Sequence, residues 1–464
     1  MLTLFADRVE SLWEEALPVE VKELPEDLAA LDRVLSDRAL MGPILERFRR
    51  ELLETGRRVL DEGRPTIAME TFVLLMVLKQ RYRWGYRTLV AEVSDSIVLR
   101  RFCRISLCER VPDESTVRKL TRRLGSETVA NVTRMLISGA TRERRFRPRA
   151  VRIDSTVVEA DIKYPTDSGL ASHGVRALAR EARKLAERIG EQRRRVRDRS
   201  RATGRRLRGI TRTIRARSGD AKAQVLKLTQ ETGELLERSV KEARKLVLVA
   251  RRKARGRGAK ARLKGAAKLE ELADRCEKVA RQIEQRVKGE PISDRIVSIS
   301  DPDARPIRKG KLGKPNEFGY VTQLAEVTEN TKRGARGVIL PATSQVGNPQ
   351  ENALLPDTVA ELRRLGISPR EVALDGGFIP GPTNSAFEDL APDRVFISGR
   401  QEPDSRRTTR RLQRYRTGKE GRISHLKRRY GLGRSRLKGH DGQATWTEWG
   451  ILAYNADTLA VRGG

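Results

Sequence analysis

The stretch VRIDSTVV at residues 151–158 decides the fold class of this chain. Five of its eight residues are β-branched, and because such residues favour extended backbone, the stretch predicts a strand. Asp154 stands where an apolar side chain would fit more easily, and the local pattern alone predicts that the strand ends there. An α/β domain is predicted because further strands alternate with a helix at residues 351–365. Those further strands are predicted at residues 295–300, 317–327, 371–374 and 395–398, with a basic loop at residues 308–315.

Residues 171–290 interrupt this α/β pattern. They contain 37 Lys and Arg against 15 Asp and Glu, and they lack Phe, Tyr, Trp and Pro. Strong helix formers without proline predict long helices, with hinges at Gly204, at Ser218 and Gly219, and at residues 256–258. We interpret the block as an inserted basic helical bundle or coiled-coil hairpin. It clamps DNA phosphates, serves as an oligomerisation arm, or is a solvated spacer.

The charge of the whole chain points to a polyanionic partner. Its 464 residues carry a net charge of +34, with an isoelectric point near 10.8, and nucleic acid is the first candidate for such an excess. The longest apolar run, residues 72–78, is far shorter than the roughly 20 residues of a membrane span, so no membrane partner is expected. Early acidic residues argue against a signal peptide, and three sparse cysteines indicate reduced thiols, so a cytoplasmic location is predicted.

The sequence before the first strand is predicted to be helical and to include a buried helix at residues 67–79. It is divided into an N-terminal helical region at residues 1–65 and a helix-turn-helix type DNA-binding domain at residues 66–130. In the second part, Asp113 can cap a helix that Gly125 can end. Such a helix suits DNA binding, although a basic helix in a bundle has the same spacing. Its exposed basic face consists of Arg118, Lys119, Arg122 and Arg123.

A second basic stretch, RTGKEGRISHLK at residues 416–427, contains a single carboxylate, Glu420. On an α-helix, Arg416, Glu420 and Lys427 lie along one face, because 3.6 residues make a turn. A carboxylate between two cations can hold a divalent metal and a polyanion together. The alternative is a solvated face with ion pairs between successive turns.

Three acids occupy related positions in the predicted fold. Asp154 lies on the first strand, Asp375 directly follows a later strand, and Glu420 lies on a helix after the last strand. Functional groups gather at strand ends in open α/β sheets, and neighbouring strands lie about 4.8 Å apart, so their carboxylates can share a metal. Two Mg²⁺ ions held this way can promote phosphodiester displacement. These acids are therefore the predicted catalytic and metal-binding residues.

These residues resemble the motifs of the DDE transposases of bacterial insertion sequences. The resemblance is to the branch that is marked by R-x3-E-x6-K around the third acid. Arg416, Glu420 and Lys427 match that spacing. The family usually has a tyrosine three residues before the arginine, where this chain has Gln413, with Tyr415 nearby instead.

Three other segments extend the likeness over about residues 70–464. Residues 154–168 look like the family's first-acid motif, and residues 374–378 look like its second. Gly376 departs from the second motif, in which an arginine often follows the Asp. Residues 111–116 resemble the beginning of the family's N-terminal DNA-binding helix.

The resemblance implies an RNase H-like catalytic domain, with a mixed sheet flanked by helices, at residues 131–170 and 291–464. It implies two Mg²⁺ ions, for which Mn²⁺ could substitute, with Asp154 touching both ions and Asp375 and Glu420 each supporting one. Arg416 and Lys427 would hold DNA phosphates near the site. The implied activity is cleavage of the element ends and joining of the freed 3′-OH to target DNA.

The resemblance also sets the expected partners and location. Double-stranded DNA, both element ends and target, is the expected partner, and a homodimer is expected on DNA. The location is the bacterial cytoplasm, in association with the nucleoid.

Other interpretations of the same residues stay open. A non-catalytic DNA-binding protein would use the basic elements alone, and an RNase H-like nuclease would hydrolyse DNA without joining strands. Glu159 and Asp161 are the nearest substitutes for Asp154 as first acid. Trp446, Trp449 and Tyr454 are predicted to pack a final helix onto the sheet.

Overall fold

The computed structural model describes residues 1–7, 12–55, 65–192, 196–216, 219–311, 314–400 and 405–462. The chain divides into two units, each with its own hydrophobic core. The first unit contains residues 1–161 and 319–464, and the second contains residues 162–318. Within the ranges given above, no helix combines the length and the apolar character that a membrane crossing requires.

The N-terminal part of the first unit is helical, as predicted. Its first helices are α1 (Leu12–Glu15), α2 (Val19–Lys22), α3 (Glu26–Leu35), α4 (Gly42–Thr55), α5 (Met69–Arg81), α6 (Tyr86–Asp95) and α7 (Ile97–Phe102). Helix α5 is buried from Met69 to Gln80, which its continuous apolar run predicts. Ser96 caps α7 by accepting a hydrogen bond from the Leu99 N–H at 3.2 Å.

The predicted basic helix begins and breaks where the sequence indicates, and a second helical segment follows the break. Helix α8 (Glu114–Arg142) starts after Asp113, whose carboxylate accepts hydrogen bonds from the N–H groups of Ser115 and Thr116. The prediction that Gly125 ends this helix is confirmed, because Gly125 has a φ of 73° and a ψ of 174°, which are not helical angles. A second helical segment follows this kink within α8, and most of its residues from Thr128 to Ala140 are buried in the same core.

The second unit is built from long helices, as its composition predicts. In the part of the unit that the structure describes, these are α9 (Asp167–Arg188), α10 (Ser200–Ala216), α11 (Ala221–Arg252) and α12 (Ala259–Lys288). Helices α11 and α12 pack along each other as an antiparallel hairpin. The predicted hinge at residues 256–258 joins them, with Gly258 in the left-handed region at a φ of 89°. In the predicted hinge at residues 218–219, Ser218 lies outside the described residues.

The predicted hinge at Gly204 is wrong, because this glycine lies inside α10. A glycine in a helix costs only about 1 kcal/mol, and packing next to it maintains the helix. The neighbouring Thr203 is fully buried and hydrogen-bonds Ser172 of α9 at 3.1 Å. The chain turns instead directly after α9, where Gly190 has a positive φ of 68°.

Two further predictions after α12 are also wrong. Residues 295–300 form no strand, because the side chain of Gln282 binds both the N–H of Ile296, at 2.9 Å, and its C=O, at 3.3 Å. The segment at residues 308–315 is not a loop. It contributes to strands β2 (Arg305–Lys311) and β3 (Lys314–Thr328), and residues 312–313 lie outside the described residues.

A mixed sheet lies in the first unit, as predicted. It contains β1 (Ala150–Ala160) and the part of β3 from Gly319 onward, with β4 (Val338–Ile339), β5 (Thr343–Gln345), β6 (Glu371–Leu374), β7 (Arg394–Ile397) and β8 (Arg434–Ser435). The central order is β3, β1, β6, β7. Strand β1 is antiparallel to β3 and parallel to β6, and β6 is parallel to β7. The strands predicted at residues 317–327, 371–374 and 395–398 are thereby confirmed.

Asp154 does not end its strand, contrary to the local prediction. The antiparallel register of β1 with β3 continues from Ala150 opposite Thr328 to Glu159 opposite Gly319. Asp154 itself lies opposite Leu324. The hydrogen-bonded neighbour therefore keeps the backbone extended past an unfavourable side chain, and this tertiary pairing overrides local propensity.

The remaining helices of the first unit are α13 (Glu351–Arg364), α14 (Pro380–Phe387), α15 (Arg406–Arg429) and α16 (His440–Ala460). The final helix predicted around Trp446, Trp449 and Tyr454 is confirmed as α16 and is largely buried. It packs against strand β4 but also against α5 and α8. Trp449, for example, meets Phe72 of α5 edge to face at 5.6 Å.

Candidate active site

Two of the predicted acids lie at neighbouring positions of the sheet, Asp154 within β1 and Asp375 directly after β6. Ile153 of β1 pairs in register with Leu374 of β6, so Asp154 and Asp375 both come one residue after the same paired position. Adjacent strands lie about 4.8 Å apart. The sheet therefore brings together two carboxylates that are far apart in sequence.

Helix α15 brings the third acid to this place. It begins after Ser405, whose hydroxyl accepts a hydrogen bond from the Thr408 N–H, and it packs against both β1 and β6. Leu412 and Tyr415 are buried on the side of the helix that faces the sheet. The Tyr415 hydroxyl hydrogen-bonds the Thr328 hydroxyl of β3 at 2.6 Å, which anchors the helix.

One guanidinium connects two of the acids. Arg416 donates one hydrogen bond to Asp375 Oδ1 at 3.0 Å and another to Glu420 Oε1 at 3.1 Å. The Arg416 side chain is 12% exposed, whereas those of Asp375 and Glu420 are 44% and 61% exposed. The arginine thus sits within the cluster, and the two carboxylates that it bridges stay open to solvent.

Asp154 lies deeper than the other two acids. Burial raises the pKa of its carboxyl group above the ordinary value, and the nearby negative charge of Asp375 raises it further. Lys419 and Arg416 act in the opposite direction. These interactions place Asp154, Asp375, Arg416 and Lys419 in one electrostatic cluster.

Lys419 is a member of the cluster that sequence reasoning missed. Its side chain is 1% exposed, and its Nζ has no hydrogen-bond partner among the residues that the structure describes. Burial lowers the pKa of this lysine to about 7, while the negative charges of Glu326 and Asp154 act to raise it. Its position in the sequence could have indicated that Lys419 is buried. Lys419 follows the buried Tyr415 by four residues and therefore lies on the same side of the helix.

A buried ion-pair group lies beside Lys419. Glu326 of β3 is fully buried and binds Arg152 of β1 at 2.8 Å and Arg422 of α15 at 3.0 Å. Arg152 also donates hydrogen bonds to the Tyr415 C=O at 2.7 Å and to the Ala335 C=O at 2.9 Å. Because both arginines converge on one carboxylate, the group ties two strands and α15 together.

The side chains in this cluster have the right chemistry for Mg²⁺, which prefers carboxylate oxygens. The described parts of the chain, however, contain no group of three or more His, Cys, Asp or Glu side chains arranged to hold a metal ion. The Arg416 guanidinium lies between Asp375 and Glu420 and neutralises them instead. The donor chemistry thus fits a divalent cation once Arg416 releases these carboxylates.

The predicted DNA-binding residues lie on two helices of the first unit. Arg118, Lys119 and Arg122 are exposed on α8. Arg123, also on α8, binds Glu51 at 2.9 Å and lies over the Phe48 ring.

Lys427 is half-buried on α15, the helix that also carries Arg416 and Glu420. The cations near the three acids and the cations of α8 therefore belong to separate elements.

The nearest substitutes for Asp154 have other partners. Glu159 accepts a hydrogen bond from Arg434 at 2.9 Å, and Asp161 lies 4.0 Å from the same arginine. Neither acid contributes to the cluster around Arg416 in the contacts described above.

A family model described as a transposase domain (DUF772) matches residues 23–123. The match covers α3 to α7 and the first part of α8, and it ends before the first of the three acids. No curated protein and no solved structure matches the chain. The domain match supports a transposase family, and with it an enzyme that cleaves or transfers DNA.

Proposed function

We propose that the protein is a Mg²⁺-dependent DDE transposase that binds the ends of its element, cleaves them and joins them to target DNA. The observation that carries this proposal is the guanidinium of Arg416, which binds Asp375 and Glu420 beside Asp154. Three acids from distant parts of the sequence thus meet around one cation. The transposase-domain match supports DNA as the substrate.

The proposed domains follow the sequence expectation. An RNase H-like catalytic domain comprises residues 131–170 and 291–464, and a helix-turn-helix type domain comprises residues 66–130. The mixed sheet, with Asp154 within β1 and Asp375 directly after the neighbouring β6, supports the first assignment. The exposed basic side chains of α8 support the second. The helical block at residues 171–290 is proposed to contact DNA phosphates through its basic surface.

In this proposal, Asp154, Asp375 and Glu420 hold the metal ions, and Mn²⁺ can replace Mg²⁺. When bound, the ions would supply Lewis-acid stabilisation of the attacking and leaving oxygens. Arg416 exchanges its carboxylate partners for DNA phosphates, to which a guanidinium can bind in a bidentate manner. Lys427 adds a second phosphate contact on the same helix.

The chemistry is two successive displacements at phosphorus. Water forms a bond to the phosphorus at the element end, and the departing 3′ oxygen leaves as a 3′-OH. That 3′-OH then forms a bond to a phosphorus in target DNA and displaces a target 3′-OH. Double-stranded DNA, both element ends and target, is therefore the proposed partner, and a homodimer assembled on DNA would hold both ends.

The decisive experiment uses the isosteric variants Asp154→Asn, Asp375→Asn and Glu420→Gln. Each is assayed with Mg²⁺ for cleavage of DNA that carries the sequences flanking the gene, and separately for DNA binding. We expect each variant to lose at least about a hundredfold in cleavage rate, since a missing ligand removes several kcal/mol of transition-state stabilisation. DNA binding should persist. Glu159→Gln and Asp161→Asn are matched controls and should cleave like the wild type.

If any of the three variants cleaved DNA at the wild-type rate, the residue replaced in that variant would not be a metal ligand. A second assay supplies a pre-cut end with a free 3′-OH and measures joining to a plasmid. Joined products support a transposase, and cleavage without joining would reassign the protein as a nuclease.

A further inference from the structure

A groove in the first unit lies away from the three acids. It is formed by the start of α4, by the kinked region of α8 and by the residues that lead into α16, and its volume is about 900 Å³. Its floor includes apolar side chains such as Leu124 and Leu437. Three elements that are distant in sequence thus meet around one open cavity.

Four cations line the groove without an ion-pair partner among the described residues. Arg47 and Arg50 come from α4, Arg122 from α8 and Lys438 from the segment before α16. Arg50, Arg122 and Lys438 are exposed, and Arg47 is half-buried. Within the described ranges, none of the four makes a hydrogen bond or an ion pair.

Most of the other charges that line the groove are already paired. Arg134 binds Glu361 at 2.8 Å and Glu127 at 2.9 Å. Glu46 binds Arg49 at 2.8 Å. The charge left without a partner is therefore mainly positive, which favours an anionic ligand.

We propose that this groove binds the sugar-phosphate backbone of duplex DNA. The inference rests on the proposed function, and it extends the DNA contact from Arg122 of α8 onto α4 and onto the segment before α16. Phosphates are the anions that such a spread of separate cations fits, because consecutive phosphates present repeated single charges along a strand. Arg47, Arg50 and Lys438 are the residues that it adds to the contact surface.

The test compares two triple variants of the full-length protein. The groove variant carries Arg47→Gln, Arg50→Gln and Lys438→Gln. The control variant removes the same types of charge from exposed positions outside the groove. Its substitutions are Arg142→Gln, Arg333→Gln and Lys332→Gln.

Fluorescence anisotropy with a labelled duplex measures affinity between 50 and 300 mM salt, without divalent metal so that no cleavage occurs. Each lost phosphate contact reduces the slope of log K against log salt by about 0.9. The groove variant should therefore lose roughly two to three units of slope and about tenfold or more in affinity at low salt. The double variant Arg47→Lys and Arg50→Lys keeps both charges and should bind like the wild type.

Two failures can be told apart in this experiment. If the wild type itself shows no salt-dependent DNA binding, the proposed function fails. If the wild type binds but the groove and control variants change equally, the groove inference is overturned and the proposed function stands.

Discussion

Replacing Glu448 by Gln should change how the stability of the first unit depends on pH. Glu448 lies on α16, is 3% exposed and accepts a hydrogen bond at its Oε1 from the Ala342 N–H at 2.8 Å. Its Oε2 is buried and has no hydrogen-bond partner in the described part of the chain. Burial raises the pKa of this carboxyl group to about 8. The neutral acid is thus the form that the fold accommodates.

The sign and size of the effect follow from proton linkage. Between pH 4.5 and 8 the folded protein keeps a proton on Glu448 that the unfolded chain releases. The stabilisation from this group is therefore complete below pH 4.5 and is lost as the pH rises towards 8. At 1.36 kcal/mol per pKa unit, the shift corresponds to an upper limit of about 5 kcal/mol.

The Glu448→Gln variant has no proton to lose at this position. Its amide oxygen can still accept a hydrogen bond from the Ala342 N–H. Its NH₂ group changes the free energy of unfolding by an amount that does not vary with pH. The free energy of unfolding of the variant, minus that of the wild type, should therefore rise by up to about 1.4 kcal/mol per pH unit between pH 5 and 8.

Urea denaturation followed by tryptophan fluorescence measures this difference. All four tryptophans belong to the first unit, so the signal reports its unfolding. The exposed Glu388→Gln is the matched control and should follow the wild-type pH profile. Parallel profiles for Glu448→Gln and the wild type would refute the assignment of a neutral, buried Glu448.

Three further predictions concern the site and the insertion. The substitution Arg416→Gln releases Asp375 and Glu420 from ion pairs that are worth about 0.2–1 kcal/mol each. The affinity for Mn²⁺ without DNA, measured by titration calorimetry, should therefore increase a fewfold. An unchanged affinity would contradict the bridging role of Arg416. The substitution Gly418→Ala places a methyl group against the buried guanidinium of Arg152. The gain in helix propensity is roughly 1 kcal/mol, but overpacking costs about 1–3 kcal/mol, so the melting temperature should fall. Replacing residues 171–290 by a short linker should flatten the salt dependence of DNA binding, and an unchanged slope would assign the insertion a role away from DNA.

The sequence predicted elements well where the local pattern and the tertiary environment agree. The capped start of α8, the buried α5 and the strand before Asp375 are examples. It failed where a distant partner decides the local structure. Strand β1 continues past Asp154 because β3 pairs with it, and Ile296 leaves the strand conformation because Gln282 binds its backbone.

In the candidate site, too, the sequence predicted what depends on local spacing and missed what depends on distant partners. Spacing on one helix predicted that Arg416 and Glu420 share a face, and their hydrogen bond at 3.1 Å confirms it. The bridge from Arg416 to Asp375 depends on how α15 lies against the sheet, which spacing does not encode. Lys419 was missed for the same reason, since a lysine in a basic helix suggests solvent exposure until the buried face of that helix is known.

The orientation of α15 is set from its buried side. The Tyr415 C=O accepts a hydrogen bond from Arg152 at 2.7 Å, and its hydroxyl is held by Thr328. Gly418 permits this close approach, because a Cβ at that position would overlap the Arg152 guanidinium. With the helix fixed in rotation, Arg416 comes directly after the anchored tyrosine and reaches Asp375. The buried Arg152 of β1 thus determines the position of Arg416 and of the acids around it. Substitutions of buried residues that contact the sheet-facing side of α15 should therefore affect the site without changing any of its carboxylates.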